Sequence, residues 1–173
     1  MEKYLNDKLA KIKLLAMDVD GTLTDGAMFY SEQGEILKRF STRDGMGITL
    51  LHKNGIRTAI LTSENTEIVS ARARKLNIEN VILGTQSKDS DLKALADKYN
   101  LEMDEIAYIG DDINDIPALK IAGFSACPND ASKFVKNIAN YICEYPGGNG
   151  AVRELAEMIL EAKKIIIKND SYL

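Results

Sequence analysis

The sequence predicts an α/β fold: a Rossmann-like, three-layer arrangement with a parallel sheet between helices and a small β-hairpin after strand 1. Three observations lead there. Short aliphatic or β-branched runs alternate with helix-period segments along the 173 residues, the order that parallel βαβ units produce. The strand runs are apolar at consecutive positions, as in Ala59-Ile60-Leu61 and Ile106-Ala107-Tyr108-Ile109, which suits strands covered by helices on both faces. Asp18, Thr62 and Asp111 fall just past the ends of such runs, where open parallel sheets place their ligands.

In chain order, the first strand is read over 12–17 and runs into Asp18. Residues 26–40 break the alternation: two alternating segments flank Glu32-Gln33-Gly34-Glu35, a turn sequence, and predict a hairpin projecting from the first strand. Helix-period spacing follows at 45–54, then a second strand at Arg57–Leu61 leading into Thr62, then a helix at 65–76. A third strand at 81–83 precedes a helix at 88–99, whose Leu92, Leu95, Ala96 and Tyr99 share one face. A fourth strand at Ile106–Ile109 ends before Gly110-Asp111, with helices at 113–121 and 131–138 after it. Tyr141–Ile142 reads as a short fifth strand and 150–164 as the last helix. The tail IIIKNDSYL reads either as a frayed end or as an apolar strip for another subunit.

A chain of this length fits a single domain, 1–173, with no Pro-rich linker, repeat or low-complexity tract to divide it. Hydrophobic residues make up 45% and charged residues 28%, the mixture of a folded globular protein. A formal net charge of −4, spread along the chain, argues against the concentrated basic face that nucleic acid requires. Apolar runs fall short of the roughly 20 residues a membrane helix needs, so no membrane partner is expected. The segment MEKYLNDKLAKIK lacks the apolar core of a secretory signal, and two cysteines, Cys127 and Cys143, are too few for a disulfide framework. The expectation is a cytoplasmic protein with two buried, reduced thiols.

Four segments carry the chemistry. Asp18-Val19-Asp20-Gly21-Thr22 sets two carboxylates two positions apart at a strand-to-loop junction, and Gly21 lets the chain turn so that both can face one site. Such a pair binds a divalent cation or divides labour between nucleophile and proton shuttle; alone it is also an ordinary solvated loop. Thr62-Ser63 can offer a hydroxyl and helix amides to a phosphate, and is equally an N-cap. Lys88 can neutralise phosphate or carboxylate charge, or sit on the surface. Gly110-Asp111-Asp112-Ile113-Asn114-Asp115 gathers three carboxylates within five positions, which repel one another unless a cation such as Mg²⁺ compensates them. The lone His52 reads as structural.

In order and spacing, DVDGT, LTS, SKD and GDDIND resemble the haloacid dehalogenase-like phosphatase superfamily, over about residues 12–160. The resemblance implies that Asp18 attacks phosphorus to form an aspartyl-phosphate, and that Asp20 protonates the leaving alkoxide and then activates water. Thr62 and Lys88 would hold the phosphoryl group. Mg²⁺ would be bound by Asp18, the backbone carbonyl of Asp20, and Asp111, with Asp115 orienting Lys88 or a metal-bound water and Asp112 beside it. Family members often carry a cap after the first loop or between the Thr and the Lys. Thr62 and Lys88 are 26 positions apart, room for one helix and one strand, so no cap domain is expected. An uncapped site leaves a small substrate in water, and closure must then come from a macromolecular substrate or a neighbouring subunit.

RDGMGI at 43–48 and GGNGAVRE at 147–154 are similar to the uncapped 3-deoxy-D-manno-octulosonate 8-phosphate phosphatase-like subfamily. Its members are implied to act on phosphorylated 3-deoxy-2-ulosonic acids as homotetramers in which hairpins and carboxyl-terminal segments complete neighbouring sites. Octulosonate members have Thr-Gly-Arg after the second strand, whereas Thr62-Ser63-Glu64 replaces that cation with an anion. Glu64, with Lys75 eleven positions on, resembles the branch acting on 2-keto-3-deoxynononate 9-phosphate. The nine-carbon substrate is therefore favoured, with the eight-carbon octulosonate as the alternative. Expected substrate contacts are Arg43, Glu64, Arg72, Lys75 and Arg153; Arg72 and Lys75 read equally as solvated surface charges. A receiver-like phosphorylation module, which is not an enzyme, shares the strand-end Asp, the Thr, the Lys and Mg²⁺ but has no use for Asp20 as a proton donor.

Overall fold

The computed structural model describes residues 2–167. Its elements in chain order are α1 (Glu2–Leu9), β1 (Leu14–Met17), β2 (Phe29–Ser31), β3 (Gly34–Leu37), α2 (Thr42–Lys53), β4 (Arg57–Leu61), α3 (Glu67–Leu76) and β5 (Asn80–Ile82). They continue with α4 (Lys88–Tyr99), β6 (Ile106–Ile109), α5 (Ile116–Ile121), β7 (Phe124–Cys127), α6 (Lys133–Lys136), β8 (Tyr141–Ile142) and α7 (Ala151–Ala162). Six strands form a parallel sheet in the order β5-β4-β1-β6-β7-β8, and β2 and β3 form a separate antiparallel hairpin. The α/β class and the hairpin agree with the sequence reading.

The side-chain period of a strand explains the three layers. On β1, Leu15 and Met17 face one core, with α1, α2, α3 and α7, while Leu14 and Ala16 face the other, with α4, α5 and α6. On β6, Ala107 and Ile109 divide in the same way from Ile106 and Tyr108. All four residues of each strand are buried, which is why these segments read as unbroken apolar runs. Register aligns Met17 with Ile60 and with Ile109, so the residues that follow the three central strands emerge side by side.

Several boundaries differ from the expectation. Strand β7 was not anticipated: FSAC is short and carries a serine. That serine is satisfied in the core by a reciprocal pair, the Asn140 amide donating to Ser125 Oγ at 3.1 Å and the Ser125 amide donating to Asn140 Oδ1 at 3.0 Å. Helix α1 was also missed, and its mixed charge reflects a helix largely on the surface, with Leu9 buried. The helix expected at 45–54 starts earlier because Ser41 Oγ accepts the amides of Arg43 and Asp44, an N-cap. The helix expected at 113–121 opens with a 3-10 turn, Ile113–Asp115, before Pro117 enters the first turn of α5, where its missing N–H costs nothing. The helix expected at 131–138 contracts to α6.

Of the tail, Ile165 and Ile167 pack on the core while Ile166 is exposed; residues 168–173, and that part of its reading, lie outside the described residues. Among the described residues no helix is long and apolar enough to cross a membrane. Cys127 and Cys143 are buried and free, as expected, and burial pushes the Cys127 thiol up to about 11.

Candidate active site

The loop after β1 builds the site around one carbonyl. The amides of Thr22, Leu23 and Thr24 all donate to Val19 O, at 3.2, 2.9 and 2.9 Å, coiling the chain so that Asp18 and Asp20 face the same side. Gly21 completes the coil at φ +83, and a Cβ there would collide with the Asp111 carboxylate, so the tight turn and the approach of the fourth loop both require glycine. The Asp18 amide donates to Ile109 O at 3.0 Å, tying the loop to β6.

Lys88, at the start of α4, is buried and makes two contacts of 2.6 Å, donating to Asp18 Oδ1 and to Asp115 Oδ1. Burial alone would lower its pKa; Asp18 and Asp115 outweigh it and hold the ammonium above its ordinary value. Asp115 is fully buried and fully engaged. Its Oδ1 also accepts the Tyr108 hydroxyl at 2.6 Å, and its Oδ2 accepts the amides of Asp111 at 2.9 Å and Asp112 at 3.2 Å. Four donors occupy the roughly four acceptor positions a carboxylate has, so Asp115 fixes Lys88 and the Asp111 backbone rather than facing a ligand.

Asp18, Asp111 and Asp115 each offer an oxygen within 4.8 Å of the others. One lysine cannot neutralise the three. Burial, then repulsion from Asp115 and Asp112, pushes Asp111 up to about 7. Burial and Asp115 likewise hold Asp18 well above the carboxylate range. The Asp111 side chain accepts a long contact from Thr22 Oγ1, at 3.5 Å, and lies within hydrogen-bonding reach of Asp18. An all-oxygen set with free carboxylate positions on Asp18 and Asp111 fits Mg²⁺, whose charge would relieve the repulsion.

Asp20 stands at the rim. Lys38 Nζ, from the hairpin, donates to Asp20 Oδ1 at 2.7 Å, whereas Asp20 Oδ2 is buried and has no hydrogen-bond partner. A cavity of about 260 Å³ opens here, lined by Asp18, Asp20, Thr62, Glu64, Asp111 and Asp112, among others. A larger hollow of about 390 Å³, lined by His52, Arg57 and Thr58, lies against the opposite ends of the strands, away from the carboxylates. His52 there makes a 2.6 Å contact with Thr58 Oγ1, in keeping with a structural role.

The structure thus brings together Asp18, Asp20, Thr62, Lys88, Asp111, Asp112, Asp115 and Glu64. It does not bring the expected basic residues to them. Arg72 donates to Ser41 O at 2.8 Å and stacks on Phe40, and Lys75 is exposed on α3. Arg43 and Arg153 line a separate hollow of about 140 Å³ with Tyr145 and Glu157, where Arg153 pairs with Glu157 at 2.6 Å. Asp44, next to Arg43, is buried and accepts the amides of Gly150 and Arg153, joining α2 to the start of α7. Two residues of the site were missed. Tyr108 could have been found, since a hydroxyl inside a buried strand needs a partner. Lys38 could not, because its partner lies on another element.

The haloacid dehalogenase-like hydrolase profile matches residues 52–155. The chain belongs to this family. Among curated haloacid dehalogenase-like relatives, the 3-deoxy-D-manno-octulosonate 8-phosphate phosphatase of Haemophilus influenzae is 38% identical over 159 residues, 92% of this chain and 88% of that one. The phosphatase of the same name from Moraxella catarrhalis, solved with magnesium, phosphate and a KDO molecule, superposes with a TM-score of 0.92 at 38% identity, covering 95% of this chain and 94% of that one. The cobalt-bound deoxy-D-mannose-octulosonate 8-phosphate phosphatase of Haemophilus influenzae gives 0.89 at 38% identity, covering 91% and 92%. Hydrolase membership and an acidic magnesium site agree with the sequence reading.

Proposed function

We propose that this hydrolase is a Mg²⁺-dependent phosphomonoesterase that releases phosphate from 3-deoxy-D-manno-octulosonate 8-phosphate through an aspartyl-phosphate on Asp18. The observation that carries the chemistry is the convergence of Asp18, Lys88 and Asp111 at adjoining strand ends, with Asp20 beside them. Asp18 attacks phosphorus as the ester P–O bond breaks, and protonated Asp20 gives its proton to the departing alkoxide. Asp20, now a carboxylate, takes a proton from water, whose oxygen attacks the phosphoaspartate; inorganic phosphate leaves and Asp18 is regenerated. Lys88 and the Thr62 hydroxyl neutralise and orient the phosphoryl oxygens. Asp18, the Asp20 carbonyl and Asp111 would hold Mg²⁺, which would supply positive charge to the phosphoryl group. Asp115 and Asp112 hold Lys88 and the Asp111 loop in place.

The substrate reading rests on relatives 35–38% identical over about nine-tenths of this chain, whose names specify the eight-carbon octulosonate. That outweighs the nine-carbon preference drawn from Glu64 and Lys75, although Glu64 does line the cavity. Glu64 would accept hydrogen bonds from sugar hydroxyls. Arg43, Arg72, Lys75 and Arg153 would meet a substrate carboxylate only across subunits, in a cytoplasmic homotetramer whose hairpins close neighbouring cavities. The exposed apolar hairpin, with Phe29 49%, Tyr30 66% and Leu37 59% accessible, supports such an assembly. A comparison of kcat/KM on eight- and nine-carbon ulosonate phosphates, for the wild type and Glu64→Arg, tests the substrate. Higher kcat/KM on the nine-carbon ester would overturn the octulosonate assignment, and stable phosphorylation without turnover would favour the receiver-like module.

A further inference from the structure

We infer that Thr85, in the loop between β5 and α4, is a positioning residue that sets the spacing between the two groups holding the phosphoryl oxygens, Thr62 and Lys88. The inference rests on the phosphatase reading above and adds to it a residue that reaches the phosphoryl group only through those two.

Thr62 and Lys88 come from different elements, one just past β4 and the other at the start of α4. The pairing of β4 with β5 runs to Leu61 and Ile82. Beyond it the main chains stay bonded: the Thr62 amide donates to Ile82 O at 3.0 Å, the Thr85 amide to Thr62 O at 3.1 Å, and the Gly84 amide to Glu64 O at 3.1 Å. Both backbone groups of Thr62 are thus committed to the β5 side. Its hydroxyl accepts the Glu64 amide at 3.2 Å, which leaves the hydroxyl proton for an anion in the cavity that Thr62 lines.

The Thr85 side chain supplies the other half of the link. Thr85 is buried, and its hydroxyl accepts the Ser87 amide at 3.2 Å while donating to the Asp91 carboxylate in the first turn of α4. Ser87, which precedes Lys88, does not cap the helix with its own side chain; its hydroxyl goes to Asp89 Oδ1 at 2.8 Å. The turn that carries Lys88 is therefore fastened through Thr85, and Thr85 through its amide to Thr62.

Ion pairs with Asp18 and Asp115 fix the Lys88 ammonium but not its backbone. A flexible four-carbon stem can make those contacts from more than one backbone position, and the Thr85 bridge selects one. The selection matters because a displacement of about 1 Å in a group that positions substrate can cost on the order of 10²-fold.

Thr85→Val keeps the β-branched shape and the amide bond to Thr62 while deleting the hydroxyl bridge to α4; Thr85→Ser keeps the bridge. With Mg²⁺-loaded protein we compare kcat and KM on the ulosonate phosphate turned over fastest, together with competitive inhibition by inorganic phosphate. The expected result for Thr85→Val is a rise of roughly tenfold in both KM and the phosphate inhibition constant, the factor that a hydrogen bond to a charged group is worth, with kcat within about threefold of wild type. Thr85→Ser should stay within about threefold of wild type in all three quantities. Both constants unchanged in Thr85→Val, whatever its melting temperature, would overturn the positioning role. So would a kcat loss of about tenfold at unchanged KM, or a Thr85→Ser as impaired as Thr85→Val. Should Thr85→Val fail to fold, Asp91→Ala removes the far end of the same bridge from a half-buried position and is judged by the same two constants. A wild type that releases no phosphate from any ulosonate ester would refute the phosphatase reading, whereas an active wild type with an unshifted Thr85→Val would refute this inference alone.

Discussion

Lys88 Nζ stands 2.6 Å from Asp18 Oδ1 with both side chains almost wholly shielded, 2% and 7% accessible. The proposed nucleophile is thus held by a charge it shares with Asp115, also at 2.6 Å. Removing that charge by Lys88→Met leaves two buried carboxylates facing each other. The folded state should lose roughly 3–5 kcal/mol, the range for breaking one partner of a buried ion pair, and phosphate release should fall with it. Thermal melts and a phosphate assay on the same sample check both.

Asp18→Asn separates stability from activity. The amide oxygen that the substitution introduces can still accept from Lys88, while the buried negative charge is gone. Turnover should fall on the order of 10⁴-fold or more, as for other covalent nucleophiles. The metal-free melting temperature should hold or rise, because burial and Asp115 disfavour the Asp18 charge. Substantial activity in a pure sample would contradict the covalent route.

Metal removal should show a pH signature. Asp111 rises from an ordinary 3.8 to about 7 in the folded protein, so between those values the folded state keeps a proton that the unfolded chain has released. The stability this contributes is complete below about 4 and is lost as pH climbs through about 7. Chelator-treated protein should therefore melt lower at pH 8 than at pH 5. Added Mg²⁺ should raise the melting temperature more at pH 8 than at pH 5; an equal rise at both would disprove the assignment.

Tyr108→Phe deletes one donor to Asp115 and nothing else of its shape. A hydrogen bond to a charged, buried acceptor contributes roughly 1.5–3 kcal/mol, and urea unfolding should show a loss of that order. A weaker apparent Mg²⁺ affinity should accompany it, since Asp115 also fixes the Asp111 amide, and a magnesium titration of activity reads this directly.

Much of this was legible in the sequence because the informative residues sit at strand ends. Asp18, Thr62 and Asp111 follow apolar runs, and apolar runs are set by burial on both faces, a local property. What escaped depends on partners far along the chain. Lys38 looks like any hairpin lysine until Asp20, 18 positions away, is placed beneath it. Ser125 argues against a core strand until Asn140 is seen to satisfy it. Arg72 looked free for a ligand, and the carbonyl that takes it, Ser41, is 31 positions away. The eight- or nine-carbon preference was harder still, since it was read from Glu64 and Lys75, and Lys75 is exposed on α3.

The loop Tyr145-Pro146-Gly147-Gly148 lies directly on the back of the catalytic loop. The Gly148 amide donates to Thr22 O at 2.9 Å, and a side chain at Gly147 would strike Gly21 O, while one at Gly148 would strike the backbone of Thr24 and Asp25. In a saturation mutagenesis survey these two positions should tolerate almost as little change as Asp18. Their intolerance would come from three stretches of main chain stacked without a gap, and not from any reacting group they contribute.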